Sequence, residues 1–153
     1  MPNGLDYEFQ HWMDEDHGSV VMRAYLAGIR KIFAGWRIDG SIPNLASLKS
    51  HYSKLSKRFG YKIRPPENIV NQFGYALFRS ENIDEAIEAF EENAKLYPDS
   101  ANVYDSLAEA LEKKGVRSKA LANYEKAYKM AEQKGEAQLA QSAKANFDRL
   151  KKL

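Results

Sequence analysis

Large apolar side chains recur every three or four positions along most of this chain, which is the spacing of helices that bury one face. Gly, Asn and Pro residues separate the periodic segments and mark turns between them. The pattern predicts helices at about 19–33, 43–59, 67–80, 83–96, 101–113, 117–131 and 136–151. We therefore expect an all-α fold over nearly the whole chain.

One short segment departs from the helical spacing. Apolar and polar residues alternate over residues 5–13, with aromatic side chains among them, and this alternation is typical of a β-strand. No other segment has the strand pattern, and a strand by itself leaves its backbone groups without partners. Either the segment is irregular in this chain, or it belongs to a sheet that lies outside the chain.

The helices from residue 67 onward follow an internal repeat of 34 residues. When residues 67–100 are aligned with residues 101–134, large residues fall on large ones and small residues on small ones. The matched pairs are Val70 and Tyr104, Phe73 and Leu107, Gly74 and Ala108, Leu77 and Leu111, Ala86 and Ala120, and Phe90 and Tyr124. This pattern predicts two helix–turn–helix units, with the last helix capping the stack.

The repeat resembles the tetratricopeptide family, with small residues at the close approaches of the paired helices and Pro98 at the end of the first unit. Three positions depart from the family pattern: Glu81 replaces the turn Gly, Asn93 replaces an Ala, and Glu132 replaces the closing Pro. The resemblance implies a superhelix whose concave groove binds peptides. Repeats that only brace a neighbouring domain, or an unrelated array of helical hairpins, are the alternatives.

Charge is divided between segments, although the net formal charge is only +2. Residues 1–22 carry five acids and no Lys or Arg, whereas residues 41–66 carry six basic residues and no acid. Residues 67–114 are acidic again, with eleven acids and four basic residues. Basic and aromatic residues together occur in nucleic-acid-binding proteins. We interpret the basic segment as the solvated face of a linker helix and predict no nucleic-acid partner.

Composition excludes several kinds of site. Cysteine is absent, so disulfides and thiolate metal sites are ruled out. No apolar run approaches the roughly 20 residues of a membrane span, so we predict a soluble protein, cytoplasmic or periplasmic depending on what precedes the chain. We expect no cofactor, and we expect no metal because the contiguous residues 14–17 cannot all face one ion.

His17 is the candidate catalytic residue, because it lies between the predicted strand and the helix that begins near Ser19. The segment MDEDHGSVVMRAYLAGIRKIFAGW, followed by a basic helix and two repeats, resembles the C-terminal region of bacterial serine esterases. These belong to the α/β-hydrolase superfamily and are related to enterochelin and siderophore esterases. The resemblance implies that His17 is the general base of a Ser–acid–His triad in a parent enzyme. A solvated loop residue is the alternative for His17, and His11 and His51 are interpreted as structural or solvated.

The chain contains no G-x-S-x-G sequence, so it lacks a nucleophile and is expected to be inactive by itself. The predicted organisation is the end of a hydrolase domain at 1–40, a basic linker helix at 41–66, two repeats at 67–134 and a capping helix at 135–153. We expect the repeats to be an interaction or bracing scaffold for a peptide, a protein or the hydrolase domain itself. The alternative is a free-standing adaptor that binds a peptide or mediates homo-oligomerisation.

Overall fold

A computed structural model describes residues 8–38 and 42–153 of the chain. Within these residues it contains seven helices and no strand. The helices are α1 (Val20–Ile32), α2 (Leu45–Phe59), α3 (Glu67–Arg79), α4 (Ile83–Leu96), α5 (Ala101–Lys113), α6 (Arg117–Lys134) and α7 (Ala137–Lys152). The all-α prediction is confirmed for this part of the chain. The chain divides into two compact units, Met1–Asp39 and Gly40–Leu153.

The N-terminal unit contains α1, which is preceded by irregular chain and turns. Residues 8–13 have the strand pattern but form no strand, in agreement with the expectation that the segment is irregular in this chain, and residues 5–7 of the pattern lie outside the described residues. The physical reason is that no second strand is available to pair with the backbone groups of this segment. α1 follows Ser19 as predicted. Arg30 and Lys31 lie in its last turn, where a positive charge interacts favourably with the helix dipole.

The second unit begins with α2, whose first turn is capped by Asn44. The Ser47 backbone N–H donates to Asn44 Oδ1 at 2.8 Å. The helix therefore begins at Leu45 and not at Pro43 as predicted, because the side chain of Asn44 accepts from a free N–H of the first turn. The buried residues of α2 are Leu48 and Leu55.

The linker between α2 and α3 is attached to the C-terminal end of α4. Arg64 donates to the Leu96 carbonyl at 2.9 Å, and its guanidinium carbon lies 4.4 Å from the centre of the Tyr97 ring. The Tyr97 hydroxyl donates to the Pro65 carbonyl at 2.9 Å. In addition, Lys49 of α2 forms an ion pair with Glu92 of α4 at 2.8 Å. These contacts hold α2 and the linker on the repeats.

Helices α3 to α6 form the two predicted helix–turn–helix units. Consecutive helices pack against each other, and α3 also contacts α5, so the two units stack. Ala86 and Ala120 are completely buried at matched positions, and so are the large residues Phe90 and Tyr124 that follow them by one helical turn. The register predicted from residue size is therefore confirmed by the burial of these side chains.

The turns within the two units contain a left-handed residue at matched positions. Gly115 has a φ of +82°, and Glu81, which precedes it by 34 residues, has a φ of +59°. Glycine adopts this conformation without steric cost, whereas a residue with a Cβ does not. Glu81 is the one non-glycine residue with positive φ in the described part of the chain, so the missing turn glycine leaves backbone strain in the first unit.

Helix α7 closes the stack. α6 continues to Lys134, beyond its predicted end near residue 131, and α7 then packs against α6 and contacts α5. Ala143 and Leu150 of α7 are buried, while Lys144 and Asp148 on its other side are exposed. A polar outer face prevents further stacking, which is the role expected of a capping helix.

Candidate functional site

His17 is exposed in the turn that leads into α1. The turn is held by reciprocal hydrogen bonds: the Asp16 carboxylate accepts from the Gly18 and Ser19 backbone N–H groups at 2.7 and 2.9 Å, and Ser19 Oγ accepts from the Asp16 N–H at 3.0 Å. The N–H groups of Ser19 and Gly18 lower the pKa of Asp16, because they stabilise its charged form. The sequence therefore builds a tight turn that projects His17 outward.

The carboxylates next to His17 are engaged by Arg23. The Arg23 guanidinium lies 3.0 Å from an oxygen of Asp14 and 3.0 Å from an oxygen of Glu15, and its central carbon lies 5.1 Å from the centre of the Trp12 ring. Within the described residues, none of these carboxylates hydrogen-bonds His17. The structure therefore brings neither a triad acid nor a nucleophile to His17 from this part of the chain.

α1 presents an exposed apolar face. The helix has no buried residue, and its large apolar side chains fall within roughly 140° of arc at the helical spacing. The opposite side carries Arg23, Arg30 and Lys31. The exposed apolar residues, each 37–66% exposed, are Val21, Met22, Tyr25, Leu26, Ile29, Ile32, Phe33 and Trp36. So wide an apolar face is typical of a helix that packs on a hydrophobic surface.

A second polar site lies between the first helices of the two repeats. The Tyr75 hydroxyl of α3 lies 2.8 Å from Glu109 Oε2 and 3.2 Å from Ser106 Oγ, both on α5. The phenol has one proton, and the carboxylate can only accept, so Tyr75 donates to Glu109 and Ser106 donates to Tyr75. Burial raises the pKa of Tyr75 to about 12, and the nearby Glu109 adds to this shift.

Asn71, one helical turn before Tyr75 on α3, and Asp105 on α5 occupy matched positions of the two repeats. Asn71 Oδ1 and Asp105 Oδ1 are buried without a hydrogen-bond partner. Burial raises the pKa of Asp105 to about 6, and the negative charge of Glu109 contributes to the increase. We refer to Asn71, Tyr75, Asp105, Ser106 and Glu109 as the α3–α5 cluster.

The neighbouring carboxylate, Glu112, is satisfied in a different way. Arg149 of α7 donates to both of its oxygens at 2.6 and 2.8 Å, and the Tyr124 hydroxyl donates to Glu112 at 3.0 Å. The bonds from Arg149 are the main cause of the lowered pKa of Glu112. This arrangement is structural, because it joins α5, α6 and the capping helix. The cluster beside it has no such cation.

The remaining histidines do not form a site with His17. His11 is exposed in the irregular segment. His51 is half-buried on α2, and its ring centre lies 5.1 Å from that of Tyr52 in an edge-on arrangement. The residues that the structure describes contain no group of three or more His, Asp or Glu placed to hold a metal ion. No helix of the described ranges is long and apolar enough to cross a membrane.

Comparison with known proteins adds no family assignment. No family model matches the chain, and no curated protein is significantly similar to it.

His17 could be identified from the sequence, whereas the α3–α5 cluster was not predicted. The available signal was the 34-residue alignment itself, which places Asn71 on Asp105 and Tyr75 on Glu109, so that polar residues recur at two positions of successive first helices.

Proposed function

We propose that this chain is the C-terminal region of a serine esterase of the α/β-hydrolase type, with the repeats as an attached scaffold. The observation that carries the proposal is the exposed apolar face of α1, which directly follows His17. A contiguous apolar face of this kind on a helix marks a surface that packs against another hydrophobic surface. A hydrolase core that receives this face would also bring its nucleophile and acid towards His17.

In this proposal His17 is the general base. It removes the proton from the hydroxyl of a serine in the parent enzyme as that oxygen attacks the ester carbonyl carbon, and it returns the proton to the leaving alcohol. The acyl group is then on the serine oxygen. A water molecule attacks its carbonyl carbon while His17 removes a proton from the water, and the proton returns to the serine as the carboxylic acid leaves. Asp14 and Glu15 stay paired with Arg23, so the acid that orients His17 has to come from the parent's own core.

The test begins with the coding sequence upstream of Met1, which should encode G-x-S-x-G followed by an Asp or Glu. Full-length protein should hydrolyse p-nitrophenyl acetate, whereas the 153-residue chain should not exceed background because it lacks the oxyanion hole. His17→Ala in the full-length protein should reduce kcat by about three to four orders of magnitude. His11→Ala is the matched control, since it removes another exposed histidine, and its kcat should be unchanged. Retention of near-normal kcat by His17→Ala would remove His17 from the mechanism.

A free-standing adaptor is the second candidate function. The α3–α5 cluster favours it, because its carboxylates have no cationic partner among the described residues. The two candidates differ in one respect that is simple to measure. If translation starts at Met1 in cells, shown by mass spectrometry of the N-terminal peptide, the adaptor function is supported and the esterase proposal is contradicted.

A further inference from the structure

Three consecutive carboxylates precede His17, and another group holds each of them. Arg23 Nη1 donates to an oxygen of Asp14 and to an oxygen of Glu15, both at 3.0 Å. Asp16 instead accepts from two backbone N–H groups of the turn. Among the described residues, the imidazole therefore has no carboxylate partner, although three carboxylates lie next to it in the chain.

Arg23 also fixes the segment before His17 on α1. Its guanidinium carbon lies 5.1 Å from the centre of the Trp12 ring, which is within the range of a cation–π contact. One exposed ion pair contributes little to stability, but here a single guanidinium contacts two carboxylates and a ring, and such a network holds a defined geometry better than an isolated pair does. One side chain of α1 thus attaches residues 12, 14 and 15 to the helix.

The same contacts stabilise the charges of the two carboxylates. A backbone hydrogen bond is the main cause of the lowered pKa of Asp14, and Arg23 adds to it. A hydrogen bond with Ser19 is the main cause of the lowered pKa of Glu15, and Arg23 again adds to it. An ionised carboxylate is a strong acceptor for an imidazole N–H. Without the guanidinium, these two acids would be available to bind the ring of His17.

From these contacts we propose that Arg23 is the positioning residue of His17. It holds the turn on α1 and withholds Asp14 and Glu15 from the imidazole. One ring nitrogen is then available for the serine hydroxyl and the other for the acid of the parent enzyme's core. This role rests on the proposed function, because it affects catalysis only where His17 is the general base. The two can fail separately, since the contacts of Arg23 are measurable without any activity.

The contacts can be tested by NMR on the 153-residue chain. Arg23→Gln removes the charge, and Arg30→Gln is the matched control because Arg30 is exposed on the same helix. Arg23→Gln should raise the pKa of Asp14 and of Glu15 towards their ordinary values, measured at the side-chain carboxyl carbons. The heteronuclear NOE of the backbone amides of residues 14–18 should fall in the same variant, because the turn loses its attachment to α1.

Arg30→Gln should leave both measurements close to those of the wild type, and circular dichroism at 222 nm verifies that both variants keep their helices. If Arg23→Gln and Arg30→Gln give the same carboxyl titrations and the same NOE values, the proposal is overturned. That result would not affect the proposed function.

The catalytic consequence is measured in the full-length protein. Arg23→Gln should lower kcat for p-nitrophenyl acetate by about tenfold to a hundredfold, because misplacing a catalytic group by ~1 Å has an effect of this size. KM should stay nearly constant, since Arg23 does not contact the ester. Arg23→Lys keeps the charge but not the planar fork that holds two carboxylates, so it should restore only part of kcat. Arg30→Gln should keep the kcat of the wild type.

The outcomes separate the two proposals. A kcat that depends on His17 but is equal in Arg23→Gln and Arg30→Gln would overturn the positioning role and leave the general base in place. A rise in KM with unchanged kcat would also overturn it, because Arg23 would then act on substrate binding. A kcat that does not depend on His17 would overturn the proposed function, and the catalytic role of Arg23 with it.

Discussion

Replacing Gly74 by Ala should destabilise the first repeat, although Ala is the better helix former. Gly74 lies within α3 and is buried. A Cβ atom at this position would lie 2.5 Å from Phe90 Cε1, 2.8 Å from Cζ and 2.9 Å from Cδ1. Carbon atoms that are not bonded normally stay about 3.5–4.0 Å apart, so the ring or the helix would have to move by about 1 Å.

The surroundings of Phe90 leave little room for that movement. Its side chain is completely buried, and the Tyr75 ring packs against it at an interplanar angle of 70°. Overpacking a dense core costs ~1–3 kcal/mol, and we expect the upper part of this range because a helix backbone meets an aromatic ring. The higher helix propensity of Ala offsets ~1 kcal/mol of this loss in the free energy of unfolding. The net loss should therefore be ~1–2 kcal/mol in the free energy of unfolding.

Urea unfolding followed by circular dichroism at 222 nm measures this loss. In the double variant Gly74→Ala/Phe90→Leu the smaller side chain relieves the contact, so its loss should be at least ~1 kcal/mol less than the sum of the single losses. Ala76→Gly, at an exposed position of the same helix, is the control and should lose ~1 kcal/mol through propensity alone. A Gly74→Ala variant more stable than the wild type would refute the close approach of α3 and α4.

Glu81→Gly should raise the free energy of unfolding by ~0.5–1 kcal/mol, because relief of the left-handed backbone outweighs the loss of an exposed ion pair with Lys113. The matched Gly115→Ala should lower it by ~1–2 kcal/mol, and urea titrations that gave the same sign for both changes would contradict this account. Asp105 has a pKa of about 6 in the folded chain against an ordinary value of 3.8. The folded state therefore binds more protons between these values, and this group makes stability fall as the pH rises from about 4 to 6. Asp105→Asn should remove this pH dependence of the free energy of unfolding. At about pH 7.5 the variant should be ~1–2 kcal/mol more stable than the wild type, after allowance for solvent screening. Equal pH profiles of the two proteins would rule out this carboxyl group as the cause.

The helices were predictable because their signals are local. Apolar spacing located all seven within a few residues, and the errors are at their ends, where caps decide. Asn44 rather than Pro43 sets the start of α2, and α6 continues to Lys134, where Gly135 caps it in the left-handed conformation. The size pattern of the repeat was also sufficient to identify the buried residues Ala86 and Phe90, because close helix contacts require a small residue opposite a large one.

The site was predictable only in part. His17 was identified from the residues around it, and the structure places it in an exposed turn without a catalytic partner from the described residues. Its proposed role therefore stays a prediction. The α3–α5 cluster was missed, because Asn71 and Asp105 are ordinary polar residues of amphipathic helices until the stacking of α3 on α5 buries one oxygen of each.

What the sequence determined by itself is the helical content, the 34-residue register and the need for small residues where helices meet. These follow from periodicity and side-chain volume, which act over one or two helical turns. Tertiary structure alone decided two other properties. It brought the Tyr75 hydroxyl of α3 to Glu109 of α5, and it partly removed Asp105 from water. Each depends on which segments meet in space, and solvent exclusion and charge proximity arise only at that level.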